Sequence, residues 1–254
     1  MRFNRIRFMI FFLISVLLGK NDIISNDLML NTKNNLGVKE VPSPGYIYQN
    51  NSTREEGILI VDLDQTPQGA LLKSAIESIY DGVVDLTTDF PENNLLGRDA
   101  VFVLLGIFPE NVIILPAGAP IFIDYINSGG NLYMEGGDMW YWDPQYGGYD
   151  FGPEFGISGL QDGSGDLTQI VGQGFLEGYN WSYTGENNYI DRLAPTGNAV
   201  TIFSNETAMN PYDCGIANDS GDHRTIGTSF EITGLGGTNN LEDAVGDVLE
   251  FFDI

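Results

Sequence analysis

Four short apolar runs separated by stretches of helical periodicity are the feature that most constrains this chain. The runs lie at residues 57–64, 83–86, 99–106 and 131–135, and apolar residues recur at helical spacing after the first and third runs. Continuous apolar runs are typical of strands buried on both faces, and alternation of strands with helices favours a parallel sheet. We therefore predict an α/β fold, a three-layer sandwich with a mainly parallel central sheet.

The second half of the chain is less regular but still indicates strands and a terminal helix. Runs at 180–184, 199–204, 214–218 and 225–232 have strand character, and Asn240 precedes a helical pattern over 241–252. Asn is a preferred N-cap residue, because its side-chain oxygen accepts a hydrogen bond from a free backbone N–H of the first turn. We predict that residues 57–254 form a single α/β domain.

The N-terminus has the pattern of a secretory signal. Arg2, Arg5 and Arg7 precede an apolar run at residues 8–19, which is too short for a membrane-spanning helix of about 20 residues. Residues 1–20 are therefore predicted to be a signal peptide, and residues 21–56 a polar linker or arm. We expect a secreted or cell-surface protein without a stable membrane span after signal cleavage.

Charge and the scarcity of Cys and His exclude several functions. The chain has 11 Lys and Arg against 35 Asp and Glu, a formal net charge of −24, so its field repels nucleic acids. Cys214 and His223 are the single residues of their kinds, which excludes a disulfide framework and multi-histidine metal sites. A Cys214–His223 catalytic dyad is disfavoured, because the cysteine sits in an apolar strand pattern typical of inert core thiols.

Acidic side chains mark the ends of two predicted parallel strands. Asp62 and Asp64 end the first run, while Glu135 and Asp138 flank a Gly-Gly turn in the segment SGGNLYMEGGDMWYWD. Ligands of open α/β sheets bind beyond the carboxyl ends of the strands, so we predict a ligand rim there. A carboxylate cluster of this kind supports acid–base chemistry or a hard cation, although acids at strand ends are also often merely solvated.

Aromatic residues beside this turn extend the predicted rim. Trp140 and Trp142 follow Asp138 directly, and Tyr146 and Tyr149 lie just beyond. Such aromatics stack on sugars or anchor protein partners, and the alternative is a loop that packs on its own aromatic side chains. The predicted rim thus comprises the four acids together with Trp140 and Trp142.

The order of elements, with a turn after the fourth strand and a late strand pair, resembles the class I glutamine amidotransferase-like superfamily, which is flavodoxin-like. The resemblance implies a Cys at the turn and a His–Glu pair on a late strand. Here the turn reads MEGGD around Glu135, and residues 226–231 read IGTSFE, so only Glu231 matches the family's acid. The resemblance therefore implies the fold and argues against the amidotransferase reaction.

A loop rich in Asp and Gly is a candidate calcium site. Asp162, Ser164 and Asp166 occupy alternate positions, as oxygen ligands do at the start of a calcium loop, but the remaining EF-hand positions do not match. An ordinary Asp/Gly turn is the alternative. Ca²⁺ is the one cofactor that the sequence suggests.

Three functions follow from these patterns. The leading interpretation is a non-catalytic binding or interaction module, a pseudoenzyme with an extracellular protein or glycan as partner. The alternative is a carboxylate-dependent hydrolase of glycans or peptides that uses Glu135 as base or nucleophile. The third is a calcium-stabilised structural domain of a cell-surface assembly.

Overall fold

The computed structural model describes residues 29–31, 56–91 and 95–254. The predicted signal peptide and most of the predicted linker lie outside these residues. Strand β1 (Met29–Asn31) falls within the predicted arm and pairs antiparallel with β5 (Val112–Ile114). None of the helices in the described ranges is long and apolar enough to cross a membrane.

The first half of the chain forms the parallel part of a large sheet, as predicted. The spatial order is β3-β2-β4-β6-β13, and every neighbouring pair in this series is parallel. The strands are β2 (Ile58–Asp62), β3 (Val84–Thr87), β4 (Ala100–Leu104), β6 (Leu132–Glu135) and β13 (Arg224–Thr228). Their carboxyl ends share one edge of the sheet, which we call the carboxyl edge.

The second half continues the same sheet with antiparallel strands. From β13 the order runs through β12, β11, β8 and β9 to β14, and β10 joins β12 to β7. The path has two ends, so the described sheet is open rather than closed into a barrel. The expectation of a mainly parallel sheet was wrong for this half, and the fold is a mixed α/β sheet. The strands are β7 (Ile157–Gln161), β8 (Gln169–Gly172), β9 (Asn180–Tyr183), β10 (Arg192–Pro195), β11 (Val200–Asn205), β12 (Tyr212–Asp219) and β14 (Leu235–Gly236).

Helices cover both faces of the sheet. Alternate residues of β2 point to opposite faces, so Ile58 and Ile60 enter one apolar cluster and Leu59 and Val61 enter the other. Helices α1 (Gly69–Glu77) and α4 (Leu241–Phe251) contribute to the first cluster, and α2 (Pro120–Asn127) and α3 (Gly152–Phe155) to the second. Burial on both faces explains why β2, β4 and β6 are almost continuously apolar.

Two helices begin shortly after a proline, and α4 begins directly after the predicted capping residue. Helix α1 begins at Gly69, after Pro67, and α2 begins at Pro120, after Pro116. The predicted cap of α4 is confirmed: the Asn240 side chain accepts a hydrogen bond from the Asp243 N–H, and the Asp243 carboxylate accepts one from the Asn240 N–H. This reciprocal pair is a capping box.

Removal of this cap is expected to destabilise the domain measurably. Asn240→Ala should lower the free energy of unfolding by about 1 kcal/mol, because the N–H of Asp243 loses its side-chain acceptor. Asn240→Asp should retain most of the stability, since Asp caps helices as well as Asn does. Urea denaturation of both variants provides the test, and equal losses for Ala and Asp would contradict a role for the cap.

Candidate functional site

Asp62 ends β2 at the carboxyl edge and is tied to the start of α1. Its Oδ2 accepts a hydrogen bond of 2.6 Å from the Gly69 N–H, whereas its Oδ1 is buried without a hydrogen-bond partner. A Cβ at position 69 would lie 2.7 Å from Oδ2, so this approach requires glycine. Burial raises the pKa of Asp62, although the backbone hydrogen bonds oppose the shift.

Asp64 lies two residues further, where β2 meets the loop after β4. Its Oδ1 accepts a hydrogen bond of 3.0 Å from the Thr66 N–H. Gly106 adopts φ +78°, and a Cβ there would lie 2.4 Å from the same oxygen. Burial raises the pKa of Asp64 to about 6, and the charges of Glu186 and Asp62 act in the same direction. Asp64 therefore changes charge just below neutral pH.

Glu135 ends β6 and is almost completely buried. Its Oε2 accepts hydrogen bonds of 2.8 Å from the Tyr133 hydroxyl and 2.9 Å from the Ile232 N–H. Burial nevertheless raises the pKa of Glu135 well above its ordinary value, and the charges of Glu231 and Asp64 add to the increase. Glu135 is thus held in place by its own strand and by the segment after β13.

Glu231 follows β13 and completes the group of acids. Its Oε2 accepts a hydrogen bond of 2.7 Å from the Glu186 N–H, and its Oε1 is buried without a hydrogen-bond partner. Burial raises the pKa of Glu231 to about 7, with contributions from the charges of Asp64, Glu186 and Asp62. We call Asp62, Asp64, Glu135 and Glu231 the carboxyl-edge cluster.

Two partly exposed loops lie beside this cluster, one between β4 and β5 and the other between β9 and β10. Asn188 Nδ2 donates a hydrogen bond of 3.1 Å to the Phe108 carbonyl, and the rings of Phe108 and Tyr189 meet edge to face with centroids 5.6 Å apart. Phe108 is 36% exposed. Gln65 Nε2 donates to the Glu110 carbonyl at 2.8 Å, so the loop after β2 contacts the same segment. Aromatic side chains therefore border the cluster, but they are not those that the sequence suggested.

Asp138 belongs to a different group of acids. Asp138, Asp162 and Asp191 each present a carboxylate oxygen, and the three atoms lie within 4.8 Å of one another. Asp191 is fully buried, and its Oδ2 accepts hydrogen bonds from the N–H groups of Trp140 and Tyr141. Asp138 therefore lies with two acids of the second half of the chain.

The two tryptophans of the predicted rim occupy different environments. Trp140 is 4% exposed, donates from Nε1 to the Thr228 carbonyl at 2.8 Å and packs against Phe155, so it belongs to the core. Trp142 is half-buried and stacks on Tyr146 with centroids 4.5 Å apart. Here the alternative of a loop packed on its own aromatic residues describes the structure.

The residues of the predicted calcium loop contact different parts of the structure. Asp162 joins the acids around Asp138, whereas Asp166 accepts a hydrogen bond of 3.0 Å from the Tyr212 hydroxyl. Ser164 is exposed. The side chains of Asp162 and Asp166 therefore lie with different residues, although the alternate positions of Asp162, Ser164 and Asp166 in the sequence suggested a shared ion.

Cys214 and His223 do not form a catalytic pair. Cys214 is fully buried within β12, and burial raises the pKa of its thiol. His223 lies in the turn between β12 and β13, where its N–H donates to the Ser220 hydroxyl. This turn precedes β13 and is therefore at the edge of the sheet opposite to the carboxyl-edge cluster.

Similar folds occur in solved structures, although the sequence identity is low. A mutant of Gan42B, a GH42 beta-galactosidase from G. stearothermophilus, is 13% identical, with a TM-score of 0.53, covering 80% of this chain and 31% of that one. The beta-galactosidase of Halorubrum lacusprofundi is 15% identical (TM-score 0.51, covering 78% and 30%). The mmIFT52 N-terminal domain is 12% identical (TM-score 0.50, covering 78% and 97%). This chain thus spans about a third of the galactosidases.

No family model and no curated protein sequence matches the chain. The expected resemblance to class I amidotransferases was wrong, because the structural similarity is to beta-galactosidases and gives that superfamily no support. The predictions of a non-catalytic module and of a pseudoenzyme were also wrong. They rested on amidotransferase residues that are missing here, whereas the solved structures of similar fold include GH42 beta-galactosidases.

The raised pKa of Glu231 predicts a specific dependence of stability on pH. Between pH 4.5, the ordinary pKa of glutamate, and about pH 7, the Glu231 carboxyl group keeps its proton in the folded chain and releases it in the unfolded chain. The contribution of Glu231 to the free energy of unfolding therefore falls as pH rises through this window, by on the order of 3 kcal/mol in total. Glu231→Gln should remove this part of the dependence.

Urea denaturation from pH 4.5 to pH 8 measures this difference. Glu177→Gln, at an exposed glutamate, is the matched control and should follow the original chain. Parallel stability curves for the original chain and Glu231→Gln across this window would contradict the assignment.

Proposed function

We propose that the chain is a carbohydrate-active domain that hydrolyses glycosidic bonds with its carboxyl-edge cluster. The observation that carries the proposal is the convergence of Asp64, Glu135 and Glu231 at the carboxyl edge with unequal pKa values. Glycosidases require one carboxyl group that holds a proton and one that is ionised. Environments that separate the pKa values of neighbouring acids provide both.

Within the cluster, Glu231 and Asp64 are assigned the two chemical roles. Glu231, with a pKa of about 7 and an Oε1 without a hydrogen-bond partner, donates its proton to the glycosidic oxygen as the bond to the anomeric carbon breaks. Asp64, with a pKa of about 6, is the carboxylate that stabilises the anomeric carbon or activates water. Glu135 is a positioning residue, because its Oε2 is engaged by Tyr133 and Ile232.

The location of the cluster supports a ligand site. The order β3-β2-β4-β6 corresponds to the 2-1-3-4 order of flavodoxin-like sheets, in which ligands bind beyond the carboxyl ends of the strands. We propose the flavodoxin-like description for this half of the fold on that basis. Phe108 and Tyr189 border the cluster and provide aromatic faces for sugar rings.

Charge and structural similarity together favour neutral glycans as substrates. A formal net charge of −24 repels polyanionic substrates such as nucleic acids and sulfated glycans. The structures with a similar fold include beta-galactosidases. Because the N-terminus has the pattern of a secretory signal, the proposal also includes export of the protein. The substrate would then be an extracellular glycan.

Hydrolysis of neutral aryl glycosides tests the proposal. The full chain is expected to release nitrophenol from at least one member of a galactoside, glucoside and mannoside panel. Glu231→Gln and Asp64→Asn should each lower kcat/KM at least about a hundredfold, since each removes one of the two carboxyl groups.

The control is Asp222→Asn, an exposed acid in the turn at the opposite edge, which should retain full activity. Circular dichroism establishes that each variant is folded. No turnover of any glycoside by the folded chain, or full activity of Glu231→Gln, would contradict the proposal.

A further inference from the structure

A second acidic group, outside the carboxyl-edge cluster, has the composition of a metal site. Asp138, Asp162 and Asp191 present three carboxylate oxygens within 4.8 Å of one another. Two ligands on opposite sides of a Ca²⁺ ion, each at 2.3–2.6 Å, lie roughly 5 Å apart, so one ion can contact all three oxygens. We call these residues, together with Asp143, the Asp138 cluster.

An independent observation indicates that this group has a ligand to accept. Asp191 Oδ1 is buried and has no hydrogen-bond partner, although Oδ2 of the same side chain accepts two backbone N–H groups. A buried carboxylate oxygen without a partner carries a large desolvation penalty, because it has lost its water and gained no donor. A cation removes this penalty directly.

Asp143 adds a fourth carboxylate, which, like that of Asp191, is buried and has one oxygen without a hydrogen-bond partner. It is 4% exposed, and its Oδ1 has no hydrogen-bond partner. The Asp143 N–H donates a hydrogen bond of 2.8 Å to the Asp138 carbonyl, so the two residues are neighbours in the turn, and burial raises the pKa of Asp143. The ion pairs found among the described residues involve neither Asp143 nor Asp191. Asp143 and Asp191 are therefore two buried acids without an ion-pair partner in the part of the chain that the structure describes.

We propose that the Asp138 cluster is a site for a hard divalent cation such as Ca²⁺, with Asp138, Asp162 and Asp191 as ligands and Asp143 as a fourth carboxylate. All donors are carboxylate oxygens, which hard cations prefer, and no His or Cys takes part. The site differs from the 162–166 loop suggested by the sequence, because only Asp162 is common to both.

The ion would connect three segments that are distant in sequence. Asp138 and Asp143 lie in the turn after β6, Asp162 follows β7, and Asp191 precedes β10. The segment before Asp191 also carries Glu186 and Tyr189, which adjoin the carboxyl-edge cluster. Binding would therefore stabilise the fold and one border of the proposed active site, but the metal site does not depend on that activity.

Calcium titration of the chelator-treated full chain tests the proposal. Ca²⁺ at a hundredfold excess over Kd should raise Tm by about 5 °C or more, because it binds the folded state alone. Tb³⁺ should show luminescence sensitised by Trp140 and Trp142, which adjoin the ligands in sequence, and Ca²⁺ should displace it.

Variants locate the ion within the structure. Asp191→Asn and Asp162→Asn should each lower Ca²⁺ affinity at least tenfold and weaken the Tb³⁺ signal. Asp162 is only half-buried, so this variant keeps the test valid even where Asp191→Asn fails to fold. Asp62→Asn is the matched buried control and Asp166→Asn the loop control, and both should retain the response to Ca²⁺.

Two results would overturn the proposal. One is the absence of both a Tm shift and Tb³⁺ luminescence in the original chain at millimolar concentrations. The other is a response that Asp166→Asn removes and Asp162→Asn retains, which would assign the ion to other ligands.

Discussion

The parallel pairing of β13 with β6 is the contact on which the rest of the structure depends. It places Thr228 beside Glu135 and joins the parallel half of the sheet to the antiparallel half. The Tyr133 hydroxyl lies within hydrogen-bond distance of both Glu135 and Thr228, and Trp140 Nε1 donates to the Thr228 carbonyl. The strand pairing therefore positions the chain after β13, with Glu231, against the end of β6, and it fixes the turn that leads to the Asp138 cluster.

Both acidic clusters contain buried carboxyl groups, but the groups have different partners. In the carboxyl-edge cluster, each of the four acids accepts at least one backbone N–H, and burial still raises their pKa values. Glu231, with a pKa of about 7, keeps its proton more readily than Asp64, with a pKa of about 6, and this difference suits acid–base chemistry. In the Asp138 cluster, three carboxylate oxygens lie within 4.8 Å of one another, and burial likewise raises the pKa values of Asp143 and Asp191. The proposed cation would compensate for the loss of solvation there, whereas a retained proton does so at Glu231.

The sequence predicted the parallel half and its acids because their signals are local. Asp62, Asp64 and Glu135 each end an apolar run, and parallel strands bring such ends to one edge. Glu231 was noticed only as a match to a family's acid, since it follows β13 by three residues and reaches the cluster through long-range pairing.

The remaining site residues had no local signal. Glu186, Tyr189 and Asp191 lie in the segment between β9 and β10, whose course depends on contacts with distant residues such as Phe108. Trp140 was predicted to belong to the ligand rim because it follows Asp138 beside the Gly-Gly turn, yet its hydrogen bond to Thr228 holds it in the core. The short strands β5, β7 and β8 were not predicted, because each is too brief or too mixed in burial for a clear period.

The central claim is that burial raises the pKa values of Glu231 and Asp64 to different levels, so that Glu231 holds a proton where Asp64 is ionised, and a ¹³C NMR titration of the side-chain carboxyl groups tests it most directly. With assignments from Glu231→Gln and Asp64→Asn, the account predicts one glutamate carboxyl titrating near pH 7 and one aspartate carboxyl near pH 6. Titration of both carboxyl groups at the ordinary pKa values of 4.5 and 3.8 would contradict the account, because burial would then have raised neither pKa.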